Sequence, residues 1–558
     1  MTLTRFRPIF DAAAILALFG LGVGWNELYA VRNVNIDDLF VIDAAWKMFT
    51  GQIPFVDFHL YAAPLAVFQI AFIAALGNTL ASLILHASVV NGLCGAVGYG
   101  LLRCLRLGPG LSLLYAAATV ITFYPPIGLP QPNQHSYFFT LVALLAQVAA
   151  SRTSTPARTA LYYVLASAAA VVGFLCKPAP IGFFLPLFAG LWLLLPRQAW
   201  LIAAVGASLG AAVALTVFIL PPLWAGASLA DLIYYSLTLS HRIGASRGMF
   251  ELRLFLNVYQ FELASAVLAL GGALLAPVAF VLSRSRPSRA AVLPYAVATW
   301  TIIVIVHFQS ITQLPAWLNV GPLFIALGSL HAAFLAFAPR QPHDDGARYW
   351  AHLVLILLAA ATIFDARRFN RVANEERGYP RTAHLGREVE VSDILGGEPA
   401  FSGTRFFTVA DRTLVQSPEQ IRAMAEHWRS LLMQVRSSPD NPVLLGLPAF
   451  FYAAAGKPSP LPITTFRPGY ASPPNGTPEY ERLRALAARN LQRYEIRYAL
   501  VAQRKMSDPV VRSLLPEVAC GIQEGPGFSL FRFCEPSSRT TLDFVMAASG
   551  LASSPELR

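Results

Sequence analysis

Val34-Asn-Ile-Asp-Asp-Leu-Phe40, followed by Trp46-Lys47, Gly51-Gln-Ile-Pro54, Asp57-Phe-His59 and Ala63-Pro64, is the stretch on which the reading of this chain turns. It carries Asp37, Asp38, Asp43 and Asp57 together with one lysine and one histidine. An apolar run at 8–28 precedes it, and further apolar runs begin at 64 and 82. Ionisable groups at the edge of a membrane-spanning region are costly without a partner or a task, so these acids are the first candidates for chemistry.

The rest of the composition supports a membrane setting. Of 558 residues, 55% are hydrophobic and only 13% charged, and the mean hydropathy is +0.52, whereas a soluble chain carries roughly 25% charged residues. The net charge of +11 does not point to nucleic acid. The arginines stand singly or in pairs between apolar runs, as they do in the cytoplasmic loops of membrane proteins. Lysine occurs only at Lys47, Lys177, Lys457 and Lys505. Arg5 and Arg7 precede the first apolar run and no small-residue cleavage site follows, so that run reads as a retained helix.

Runs near the ~20 residues needed to cross a bilayer lie at 8–28, 82–102, 110–126, 135–150, 159–175, 180–195, 199–221, 259–283, 290–307, 315–338 and 349–364. The run at 64–77 is shorter and reads as a juxtamembrane helix. With the N-terminus in the cytoplasm and 64–77 excluded as a span, Arg103, Arg106, Arg152, Arg158, Arg197, Arg284, Arg286, Arg289, Arg340 and Arg348 all fall inside. Counting 64–77 as a span would move them outside, so the positive-inside rule favours eleven spans and an outside C-terminus. Two outer connections are then long, 29–81 and 222–258. The second contains Trp224, Tyr234, Tyr235, His241, Arg242, Arg247 and Arg253.

From Asp365 the charges become dense, and the remainder suffices for one soluble domain. The expectation is a polytopic α-helical membrane domain over 1–364 and a small periplasmic α/β domain over 365–558. In the latter, 420–436 and 479–493 read as helices, 442–448 and 498–502 as strands. Cys520 and Cys534 flank two short strands around a Gly-Pro-Gly turn. A hairpin there would pair them in an oxidising compartment; the alternative is two unpaired thiols. Cys94, Cys104 and Cys176 lie in or beside apolar runs and read as small apolar fillers.

There is no internal repeat, no Walker motif, no Gly-rich nucleotide loop and no Cys or His spacing for zinc. The candidates for chemistry are therefore scattered polar groups. Asp37 and Asp38 can supply a general base for a hydroxyl, or cap a helix. Asp43, inside a helix expected from Leu39 to Phe49, reads as part of a solvated face. Asp57 and His59 share one face if their segment is extended. Lys177 sits between Val171-Val-Gly-Phe-Leu-Cys176 and Pro178-Ala-Pro180, where an ammonium can meet a substrate phosphate or snorkel to a lipid headgroup. Asn133, Gln134 and His135 follow a stiff proline-rich turn and can bond sugar hydroxyls or cap the next helix. His307 lies in a similar polar cluster near the last outer turn. Arg242 can bind a phosphate or anchor the interface.

The acid pair, the following helix, Gly51-Gln-Ile-Pro-Phe-Val-Asp-Phe58, Ala63-Pro64-Leu65 and Leu76-Gly77 together resemble the GT-C superfamily of polyprenyl-phosphate-sugar-dependent glycosyltransferases, particularly the bacterial branch near the aminoarabinose and protein mannosyl transferases. The resemblance covers roughly 1–364. It implies that Asp37 is the catalytic base, that Asp38 stands where relatives carry Glu, that Lys177 binds the donor phosphate, and that Arg242 helps neutralise it. Relatives often carry another acid in the second outer loop, where this chain has Asn133, Gln134 and His135.

The resulting expectation is an inverting transfer of a sugar from a polyprenyl-phosphate donor to a glycan, lipid or protein acceptor on the periplasmic side of a bacterial cytoplasmic membrane. It involves no cofactor and no divalent metal, no nucleic acid, and a monomeric protein within membrane lipid. The competing reading is a transporter or lipid flippase, which would place polar residues deep in several helices; a scaffold for the C-terminal domain is the third.

Overall fold

The computed structural model describes residues 7–29, 33–34, 36–59, 80–124, 130, 132–239, 241–242, 289–312, 320–337, 352–364, 406–407, 418–438, 440–447, 449, 451–463, 472–525 and 527–549. The helix expected at 64–77, the span at 259–283 and the charge-dense run after Asp365 lie outside them. The chain divides into two compact units. The first comprises Met1–Val31, Ile84–Phe218 and Gly244–Glu376; the second comprises Arg32–Leu83, Ile219–Ile243 and Arg377–Arg558. Much of both long outer connections therefore groups with the C-terminal residues, a division finer than one cut at 364.

The first unit is helical. Among the described residues four helices are long and apolar enough to cross a membrane: Pro8–Leu28, Leu83–Cys104, Pro156–Cys176 and Arg197–Trp224. Shorter apolar helices occupy Pro109–Phe123, Pro178–Leu193, Val292–Ile305, Gly321–Ala336 and His352–Phe364, and another spans Pro132–Ala150. Pro109, Pro132, Pro156 and Pro178 each open a helix. A proline fits there because its missing N–H would have had no intrahelical acceptor. Helix starts at 132 and 156 thus precede the expected 135 and 159, because hydropathy marks only the apolar body of a helix.

Packing within this unit depends on close backbone approach. A Cβ on Gly22 would lie 2.5 Å from the Gly92 Cα, so the helices carrying them cross with nothing between. Gly206-Ala-Ser-Leu-Gly210 does the same against Ala160 and Val164, whose carbonyl oxygens would stand 2.6 and 2.1 Å from the added carbons. This is the small-xxx-small contact used where the hydrophobic effect does not drive helices together. Leu201, Val205, Leu209, Val213 and Val217, four apart on the same helix, form an exposed apolar stripe suited to lipid.

Polar groups occur deeper in the helices than the apolar runs suggest, and several of them bond to one another. His331 Nε2 meets His352 Nδ1 at 2.6 Å, and the Tyr115 hydroxyl meets His331 Nδ1 at 3.1 Å. Asp11 accepts from the Tyr99 hydroxyl and from Arg103 Nε. Polar side chains bonded to neighbouring helices hold a bundle together as well as they mark a transport path.

In the second unit a four-stranded sheet runs β3–β4–β6–β5, with β3 Pro442–Leu445, β4 Tyr498–Ala502, β5 Ala519–Gly525 and β6 Phe528–Phe533. β3 and β4 are parallel; β4–β6 and β6–β5 are antiparallel. Parallel neighbours need a crossover, which includes the helix Pro478–Arg493, capped by the Thr477 side chain on the Tyr480 N–H. Amphipathic helices Pro418–Ser437, Pro509–Val518 and Arg539–Ser549 also belong to the unit. The core gathers Val443, Leu483, Ala499, Phe531 and Phe544. Cys520 and Cys534 are joined by a disulfide across the β5–β6 hairpin, Cα atoms 5.0 Å apart. A separate two-stranded element pairs β1 Asn33–Val34 with β2 Phe406–Phe407 in parallel.

Candidate active site

The acid pair begins the helix Ile36–Phe49, where Asp37 and Asp38 occupy the first turn. That position favours negative charge because unpaired N–H groups and the helix dipole converge there. Their side chains lie outside the described residues, as does that of His307, which sits in the helix Arg289–Thr312.

Six residues beyond Asp37 the helix is locked. Asp43 is 1% exposed, not part of a solvated face. One carboxylate oxygen accepts from Lys47 Nζ at 2.6 Å, the other from the Ser459 hydroxyl at 2.6 Å. Lys47, equally buried, also lies over the Phe58 ring, 5.5 Å from its centroid. The i, i+4 spacing that pairs these charges was visible in the sequence, but what buries them was not, because Ser459 is 416 positions away. The Trp46 indole N–H donates to the Lys457 carbonyl at 2.7 Å, and the Gln52 amide donates to the Ser459 carbonyl at 3.0 Å.

The Gly-x-x-Pro motif then turns sharply. Gly51 and Phe55 both have positive φ, 86° and 64°. Asp57 bonds back to the Ile53 N–H at 2.8 Å, closing the turn on its own backbone. Asp57 and His59 are therefore not on an extended segment. The second Asp57 oxygen accepts from Arg493 at 2.7 Å, and Asn490 donates to the Asp57 carbonyl at 2.8 Å. His59 is buried and stacked on Tyr235, ring centroids 4.2 Å apart, and its backbone N–H donates to the Pro462 carbonyl. Burial pushes its imidazole down to about 4, partly offset by the Asp231 carboxylate and reinforced by Arg482 and Arg489. Both residues thus serve contacts within the protein.

Tyr235 belongs to the middle connection, where Leu229–Ile233 runs into a wider π-type turn, Tyr234–Thr238. Asp231, Tyr234 and Tyr235 share one face. Asp231 is held by Arg482 at 2.8 Å, which raises the Arg482 guanidinium above its ordinary value. Arg242 lies over the Tyr234 ring, 5.9 Å from the centroid, and is itself exposed.

The remaining candidates come together in the first unit. Lys177 ends the helix Pro156–Cys176 in extended backbone, its N–H bonded to the Gly173 carbonyl at 3.0 Å. The Ser136 hydroxyl donates to the Lys177 carbonyl at 3.1 Å and accepts from the Ile181 N–H at 3.4 Å. Asn133, Gln134 and His135, the residues just before Ser136, are buried in the opening turn of the helix Pro132–Ala150 rather than in a preceding loop. His135 Nε2 meets His86 Nε2 at 2.7 Å, and the Tyr124 hydroxyl meets His135 Nδ1 at 3.3 Å. The Asn133 side-chain oxygen has no partner among the described residues. One helix turn thus places a buried amide and a lysine-bearing corner side by side. Ser136 and His86, which organise this corner, carried no sequence signal; each stands among other polar residues in its helix with nothing local to set it apart.

Comparison with protein-family models and with curated proteins finds no match. Among solved structures the chain is similar to ArnT from Cupriavidus metallidurans bound to undecaprenyl phosphate, with TM-score 0.49 and 13% identity over 96% of this chain and 100% of that one. It is also similar to the Archaeoglobus fulgidus oligosaccharyltransferase in complex with zinc and sulfate, with TM-score 0.39 and 12% identity over 90% of this chain and 69% of that one.

Proposed function

We propose that this protein is a membrane glycosyltransferase of the GT-C type, transferring a sugar with inversion from a polyprenyl-phosphate donor to a hydroxyl-bearing acceptor outside the cytoplasm. The observation that carries the reading is the acid pair at the start of a short helix whose remaining length is fixed by buried hydrogen bonds. A general base must be held in place relative to the proton it removes, and this helix is built to hold one. Asp37 takes the acceptor proton as the acceptor oxygen attacks the anomeric carbon, and Asp38 supports it. Lys177 and Arg242 offset the charge that develops on the departing lipid phosphate, an electrostatic contribution made in the transition state. A phosphate leaves without needing a proton, so no second acid takes part in this scheme. Four membrane-length helices among the described residues supply the apolar setting a polyprenyl chain requires.

The test is a transfer assay on purified protein, with lipid extract of the native membrane as the source of donor. Asp37→Asn should lower turnover about 10²-fold or more while the protein folds and inserts normally. Near-normal turnover in that variant refutes the mechanism. Mass spectrometry of envelope glycans with and without the protein identifies the sugar and its acceptor.

A further inference from the structure

The stretch that carries the acid pair is tied to later parts of the chain on both sides of that pair. Immediately before it, β1 pairs with β2, joining Asn33 to Phe406 and Val34 to Phe407. After it, three bonds converge on a few residues of the C-terminal segment: Trp46 to the Lys457 carbonyl, Asp43 to the Ser459 hydroxyl, and Gln52 to the Ser459 carbonyl. Ser459 is 1% exposed, as are Asp43 and Lys47. A serine hydroxyl thus links the C-terminal segment to the carboxylate of a buried ion pair, on the helix whose first turn carries Asp37.

We propose that the C-terminal segment is a clamp that sets the acid pair for reaction, with Ser459 as its positioning residue. The inference rests on the function proposed above. Asp37 and Asp43 stand six residues apart on one helix, about 9 Å along its axis, and a rigid helix transmits any tilt at one end to the other. The Asp43–Lys47 pair makes the anchor stiff, because loosening it leaves a charge in an apolar surround without compensation. A displacement of about 1 Å at a reacting group costs about 10²-fold in rate. Loss of the Ser459 bond should therefore appear in turnover and not in substrate affinity.

The experiment uses the full chain in lipid nanodiscs, with native-membrane lipid extract as donor. It measures the saturating rate, the half-saturating amount of extract, and amide hydrogen exchange across residues 36–49. In Ser459→Ala the saturating rate per folded molecule should fall about ten-fold or more. Half-saturation should stay within about two-fold, as expected when only the transition state is affected, while exchange at 42–49 rises. Ser459→Thr, which keeps the hydroxyl, should restore both. Trp46→Phe, which keeps the ring and loses the bond to Lys457, should move rate and exchange in the same direction as Ser459→Ala. Raised exchange with an unchanged rate, or failure of threonine to restore the rate, overturns the inference. If the wild-type protein transfers no sugar from the extract, the proposed function fails and the catalytic role of the clamp fails with it. An exchange response to Ser459→Ala would then mark the contact as structural alone.

Discussion

Removing the Lys47 ammonium tests the central anchor directly. Lys47 and Asp43 have side chains 1% and 0% exposed, with nitrogen and oxygen 2.6 Å apart. Lys47→Met keeps an unbranched apolar side chain but takes the ammonium away from the buried Asp43 carboxylate, to which the Ser459 hydroxyl still donates. Breaking a buried pair from one side typically costs about 3–5 kcal/mol, because the surviving charge is no longer compensated. In a body of this size 1 kcal/mol moves the melting midpoint by roughly 2–4 °C, so a loss of about 10 °C is expected. Asp43→Asn/Lys47→Met removes both charges, keeps an acceptor for Ser459, and should recover most of that loss. Thermal unfolding followed by tryptophan fluorescence is suited to the measurement, since Trp46 lies in the same helix and stacks on Phe49. A midpoint within about 2 °C of wild type in Lys47→Met would refute the reasoning. So would a double variant whose loss equals the sum of the two single losses.

Other consequences can be checked independently. Replacing Cys520 and Cys534 by serine opens a loop with sequence separation 14 and should cost the second unit about 3 kcal/mol, read as a lower melting midpoint that dithiothreitol reproduces in the wild type. His59, held down to about 4 by burial, is neutral in the folded protein, whereas the unfolded chain takes up the proton near 6.5. Its contribution is fully present above about pH 6.5 and is lost as pH falls toward 4, by an amount on the order of 3 kcal/mol. His59→Gln should flatten that part of the melting profile. Gly210→Val would push a side chain into the Val164 carbonyl and should reduce the yield of monodisperse protein on size-exclusion chromatography, whereas an exposed lipid-facing change such as Val213→Leu should not.

Local features were readable from the sequence, and long-range partnerships were not. Apolar length located the helices at 7–29, 156–176 and 197–224 because a membrane span is a property of one continuous segment. The amphipathic run at 418–437, the strands at 442–445 and 498–502, and the hairpin between Cys520 and Cys534 followed from period and turn chemistry. Asp43 was misread because its burial depends on Ser459, far away in the chain, and no local pattern reports that. Asp57 and His59 would share one face only on an extended segment; the left-handed Phe55 and the Asp57 bond to Ile53 bend the segment instead. At Lys177, the proline-flanked polar residue at a helix end was visible, while the Ser136 bond that ties it to Asn133 and His135 was not.

The pairing of Asn33–Val34 with Phe406–Phe407 carries a consequence for how the protein is made. At a translation speed of about 5–20 residues per second, roughly 20–70 seconds separate synthesis of these two partners. For that interval the acid-bearing segment has left the ribosome and has no strand to join. A nascent or prematurely terminated chain therefore carries both aspartates before the strand that pairs just ahead of them has been made. On the function proposed above, such fragments are expected to be inert toward donor even when inserted in the bilayer.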